Sequence, residues 1–82
     1  MEIKVLGPGC ANCKRLYEET EKALRQLGLD AKPAKVEKID EIVAHGAMMT
    51  PALVINGEVK SSGRIPSQRE LTNWLATAAM KE

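Results

Sequence analysis

The sequence contains no phenylalanine, and its only aromatic side chains are Tyr17 and Trp74. Any core must therefore be aliphatic. The aromatic platforms on which single-stranded nucleic acids stack are missing. Excess charge of either sign is also missing: twelve basic against eleven acidic residues leave +1 at pH 7. No long-range field recruits DNA, RNA or an anionic lipid surface. No apolar run approaches the ~18–20 residues of a bilayer span. Met1-Glu2-Ile3-Lys4 offers no basic stretch leading into an apolar one, so no signal peptide is expected. Cysteine is scarce: Cys10 and Cys13 are the only two, too few for a disulfide scaffold.

What is present suits one small soluble domain covering residues 1–82, with 44% hydrophobic and 28% charged residues. The expected compartment is the cytoplasm, where a close cysteine pair is catalytic or metal-binding rather than a permanent staple.

Strand and helix patterns alternate along the chain. Glu2 to Leu6 reads as a strand, broken by Gly7-Pro8-Gly9, a turn that lets the backbone come close to something. Ala11 to Leu27 predicts a helix. Cys13, Leu16, Tyr17, Thr20, Ala23, Leu24 and Leu27 recur at helical spacing, and Gly28 is a natural stop. Glu18–Lys22 and Glu21–Arg25 have the spacing of helix-face ion pairs.

Leu29 to Glu37 is compatible with a strand, and Pro33 then places it at a sheet edge because it cannot donate to a ladder. Lys38 to His45 reads as a short helix packed through Ile39, Ile42 and Val43. His45, at its end, is expected to be solvated and without a role. Ala52 to Ile55 and Glu58 to Ser61 flank Asn56-Gly57, the pattern of a two-residue hairpin. Ser67 and Glu70 have capping-box spacing before a helix that buries Leu71, Trp74, Leu75 and Ala78. The predicted order is β-α-β-α-β-β-α. It makes an α/β fold in three layers, α/β/α, around a four-stranded mixed sheet.

Cys10-Ala11-Asn12-Cys13 carries the chemistry. It sits where a strand and a glycine-rich turn meet a long amphipathic helix. Spacing of three on a first helical turn brings both sulfurs to one side, close enough for a disulfide. Backbone N–H groups and the helix dipole favour a thiolate there, and a thiol near 8.5 can fall to ~7 or below. The thiolate is the nucleophile of disulfide exchange. Cys10, ahead of the helix body, is expected to be exposed and to attack. Cys13, on the apolar stripe, is expected to be less accessible and to resolve the mixed disulfide.

Three features together resemble the thioredoxin-like fold: Gly9-Cys10-Ala11-Asn12-Cys13 after a first strand, Thr50-Pro51 before the Asn56-Gly57 hairpin, and the Ser67-capped last helix. The nearest likeness is to the small thioredoxin/glutaredoxin-like redox-active disulfide proteins. The resemblance implies a thiol–disulfide oxidoreductase working through a reversible Cys10–Cys13 dithiol/disulfide, with no further cofactor. Its partners would be substrate protein disulfides, or a low-molecular-weight disulfide, and an upstream thiol reductase. It would act as a monomer, away from nucleic acid and membrane. Pro51 would be cis beside the cysteine pair, and Thr50 would offer its backbone to an extended substrate.

The sequence also departs from that family. Gly9 stands where thioredoxin has an aromatic residue, and Ala11-Asn12 where it has Gly-Pro. Lys4 occupies the position of its buried acid. If Lys4 points beneath the cysteines, it would lower their thiol pKa values; otherwise its amine reaches water. Ser62-Gly63-Arg64 matches only partly the Gly-Gly turn and charges with which glutaredoxins hold glutathione. Met48 and Met49 could form a soft apolar lip for substrates, Met49 being the closer to Thr50, although at least one of them is expected in the core.

The same C-x-x-C also resembles heavy-metal-associated domains. Two thiolates suit copper or zinc, and a dimer could hold an iron–sulfur cluster on four. Pro8, where such domains usually have Met, the helical ending and Thr50-Pro51 oppose the metal-carrier alternative.

Overall fold

Alternating apolar residues start the chain as a strand, β1 (Ile3–Leu6), and the cysteine motif opens α1 (Ala11–Gln26). Then follow β2 (Ala34–Val36), α2 (Ile39–Ala44), β3 (Ala52–Ile55), β4 (Glu58–Ser62) and α3 (Gln68–Met80). The computed structural model describes residues 1–80, so the last two residues of the expected domain lie outside the described ones. The element order is the one the sequence predicts.

The sheet runs β2-β1-β3-β4. β1 pairs parallel with β2, with Val5 opposite Lys35, and antiparallel with β3; β3 and β4 form the hairpin. Asn56 and Gly57 at its tip have φ of 51° and 81°, the left-handed pair that a type I′ turn demands. Asn56 also ties the tip to the N-terminus: its N–H donates to the Glu2 carbonyl at 2.7 Å, and its Oδ1 accepts from the Glu2 N–H at 2.9 Å. β2 is an edge strand, and Pro33 stands just before it, where no ladder hydrogen bond is lost.

Two apolar clusters fill the sheet's faces. α1 and α3 bury Leu16, Ala23, Leu24, Leu71, Leu75 and Ala78 against Ile3, Val5, Leu53 and Ile55. Tyr17, Leu27 and Trp74 pack at the margin of this cluster, half-buried. On the other face α2 contributes Ile42 to a smaller cluster with Leu6, Val36, Ala52 and Val54. A six-residue helix reaches the sheet once. Ile39 and Val43 therefore stay exposed, at 72% and 64%, which corrects the expected three-residue stripe. The helix-face pairs Glu18–Lys22 and Glu21–Arg25 are likewise not closed among the described residues. Both lie on a solvated surface, where such pairs hold little energy.

Local hydrogen bonds fix the helix ends. Ser67 Oγ accepts from the Glu70 N–H at 3.2 Å, while the Ser67 N–H donates to Glu70 Oε1 at 3.1 Å, closing the capping box. Gln68 then joins the two large helices: its Nε2 donates to the Glu19 carbonyl at 2.8 Å and to Glu19 Oε1 at 3.0 Å.

Candidate active site

Cys10 is the N-cap of α1, with extended backbone angles (φ −68°, ψ 167°). Its sulfur accepts from the Cys13 N–H at 3.3 Å, doing for the first helical turn what a serine or aspartate oxygen does at other N-caps. Such a donor stabilises negative charge on Cys10 once the pair is reduced. Cys10 and Cys13 form a disulfide, their Cα atoms 5.1 Å apart. One sulfur-bearing residue is exposed and the other is not. Cys10 stands at the surface, whereas Cys13 is 5% accessible on the inward stripe of α1.

Gly7 creates the space for Cys13. A Cβ added there would run into Cys13 Sγ and come within 3.0 Å of Cys13 Cβ. It would also lie 3.9 Å from Thr50 Cβ, so Gly7 sits between the buried cysteine and the entrance to β3. The glycine-rich turn thus has a definite object of close approach, the second sulfur.

At that entrance the Thr50–Pro51 peptide is cis. Pro51 is buried and Thr50 exposed. The flanking backbone is already engaged. Ser62 Oγ accepts from the Met49 N–H at 3.2 Å and donates to the Met49 carbonyl at 2.9 Å. The Pro51 carbonyl accepts from the Gly63 N–H at 2.9 Å. Thr50's own N–H and carbonyl make no hydrogen bond among the described residues. Gly63 has φ +78°, and a Cβ there would press on the Met49 side chain at 3.1 Å.

One expectation needs correction, and two open readings are decided. Met48 and Met49 are 94% and 62% exposed, so neither is in the core. The short loop after α2 fills the smaller cluster with Ala47 instead and leaves both thioethers at the surface. Lys4 does not point beneath the cysteines. On a strand, neighbours alternate between faces. Val5 belongs to the α1 side, so Lys4 falls with Leu6 on the α2 side, where its amine pairs with Glu2 at 3.2 Å. In Ser62-Gly63-Arg64, the serine holds Met49 and Arg64 is bonded to Glu70 through both Nη atoms, at 3.1 and 2.8 Å. The Glu70 carboxyl is thereby held down to about 2, by Arg64 first and by the Ser67 N–H next. His45 caps the end of α2 through its backbone N–H.

Ser62 escapes a reading of the sequence because its partner lies on another segment. Gly63, which follows it and must adopt positive φ, is the one local hint of a special turn there.

Among the described residues no group of three or more His, Cys, Asp and Glu side chains is gathered to hold a metal, and no helix is long and apolar enough to cross a membrane. The redox group is the disulfide itself. An accessible sulfur bonded to a shielded one at a helix start, beside a proline-led strand, makes this protein a thiol–disulfide oxidoreductase of thioredoxin-like fold.

More narrowly, the chain belongs to the thioredoxin family, whose model, described as a thioredoxin domain, matches residues 1–76. It is 37% identical over 76 residues to a thioredoxin of Methanothermobacter thermautotrophicus, covering 93% of this chain and 99% of that one. To a thioredoxin of Methanocaldococcus jannaschii it is 36% identical over 73 residues, covering 89% and 84%. These relatives support the oxidoreductase reading over the metal-carrier alternative.

Proposed function

We propose that this protein passes two electrons from an upstream thiol reductase to protein disulfides, with Cys10 as the attacking sulfur and Cys13 as the resolving one. The observation that carries the assignment is the contrast in access between the exposed Cys10 and the buried Cys13. The Cys10 thiolate attacks one sulfur of a substrate disulfide, and the other substrate sulfur leaves as a thiolate and takes a proton. Cys13 then attacks Cys10 Sγ. The Cys10–Cys13 bond forms, the second substrate thiol is released, and the reductase restores the dithiol.

Thr50 and Pro51 form the seat for the substrate. The unpaired N–H and carbonyl of Thr50 suit one rung of pairing with an extended peptide. Met49, exposed beside it, adds a soft apolar contact that adapts to different side chains. We further propose that the protein works as a monomer in the cytoplasm, where a close cysteine pair cycles between states rather than remaining closed.

Replacing Cys13 with Ser tests the roles. C13S should accumulate a long-lived mixed disulfide through Cys10 when mixed with an oxidised protein, visible by intact mass. No adduct, or adducts through Cys13 alone in the complementary C10S variant, would overturn the assignment.

A further inference from the structure

Resolution requires a Cys13 thiolate, yet Cys13 is the buried sulfur, and apolar burial holds a thiol in its protonated form. The proton needs an acceptor. A cleft of about 50 Å³ opens beside Cys13, lined by Val5, Gly7, Gly9, Lys14, Lys35 and Glu37. A water molecule needs roughly 10–15 Å³ and a few polar partners, so this cleft can hold water.

Its one carboxylate among the described residues stands just after β2. Lys35 lies opposite Val5 and so faces the α1 side, and Glu37, two residues on, lines the same cleft. Glu37 Oε2 lies 3.1 Å from where a Gly9 Cβ would stand, so the missing side chain at Gly9 leaves the carboxylate its place over the turn before Cys10.

The charged and titratable groups around Cys13 are Lys14 and Tyr17 on α1, Lys35 on β2, Glu37 just after it, and Cys10 at the turn. The Lys35 amine lies over the Tyr17 ring, 4.8 Å from its centre. Glu37 is engaged in no ion pair or side-chain hydrogen bond among the described residues. An unpaired carboxylate and a thiol that must lose a proton share one wettable cleft.

We infer that Glu37 is the proton acceptor for Cys13, acting through water in the cleft that both residues line. This inference rests on the resolving role proposed for Cys13. The Cys13 S–H proton passes through water to the Glu37 carboxylate, and the Cys13 thiolate attacks Cys10 Sγ in the mixed disulfide. The Cys10–Cys13 bond forms as the bond from Cys10 to the substrate sulfur breaks. The departing sulfur carries away the electron pair and takes up a proton, and Glu37 returns its own to water. The two lysines at the cleft hold the transient negative charge within it.

The test follows reduced protein reacting with the aromatic disulfide 5,5′-dithiobis(2-nitrobenzoate). The first coloured thiolate reports attack by Cys10 and the second reports resolution by Cys13. Replacing Glu37 with Gln (E37Q) should leave the first release unchanged and slow the second about a hundredfold at neutral pH, the low end for acid–base catalysis. The gap should close above about pH 9, where a thiol ionises without help, and E37D should recover part of the rate.

A second release in E37Q that is unchanged, or slowed equally at every pH, would overturn the inference. So would a faster release, which is what simple removal of a negative neighbour would give. The single-cysteine variants separate the two readings. If C10S rather than C13S gives the fast first release, Cys13 is the attacking sulfur and its resolving role itself fails; if C13S gives it, a negative result with E37Q removes only Glu37.

Discussion

The Ser62 hydroxyl clasps the backbone of Met49 from both sides, accepting from its N–H at 3.2 Å and donating to its carbonyl at 2.9 Å. One side chain of β4 thereby does the work of a neighbouring strand for a residue that has none. It pins the residue immediately before Thr50 and leaves Thr50 as the unpaired rung.

Removing the clasp should loosen the proposed substrate seat without touching either sulfur. In S62A, KM for a peptide disulfide should rise about three- to tenfold, the equivalent of a net hydrogen bond of about 0.5–1.5 kcal/mol. The turnover number should hold, and S62T, which keeps a hydroxyl, should recover affinity. Steady-state kinetics on the three proteins checks this. An equal loss of kcat would show that Ser62 acts on the cysteines instead.

Gly7 has no room for a methyl group, because Cys13 lies directly against it. G7A should destabilise the protein by about 1–3 kcal/mol, the usual range for overpacking an interior that cannot retreat. Urea unfolding of wild type and variant measures it. Wild-type stability in G7A would mean that the Cys13 side chain is free to move off the turn.

Glu70 makes the stability of the α3 start depend on pH in a definite direction. Its carboxyl is held down to about 2 from the usual 4.5, by Arg64 first and the Ser67 N–H second. The folded value is the lower one, so the contribution is complete above about 4.5 and is lost as pH falls towards 2. E70Q should therefore be less stable than wild type at neutral pH. The difference should shrink as pH falls between those two values. Urea midpoints across that range check it, and a difference that stays constant would assign the effect to packing rather than charge.

Much of the fold and of the candidate active site is local in sequence, and for that reason it is legible there. The N-cap cysteine, its partner three residues on, the Asn56-Gly57 turn and the Ser67–Glu70 box each depend on backbone geometry within a few residues. The different exposure of the two cysteines follows from the same periodicity, since position 13 lies on the apolar stripe and position 10 precedes it. The pull of composition towards burial misleads only where an element is too short to hold its apolar residues inward, as at Ile39, Val43, Met48 and Met49.

Four short strands and three helices, and the chemistry of a cysteine pair at a helix start, are thus written in spacing and turn residues. Which face each strand turns to the helices is not. Strand pairing decided that Lys4 lies away from the cysteines and that Lys35 and Glu37 lie beside them. The same pairing brought Ser62 to Met49 across 13 residues. The reason is physical: capping and turn formation are short-range hydrogen bonding, while register and facing are settled only when the apolar sides of separate segments are buried together.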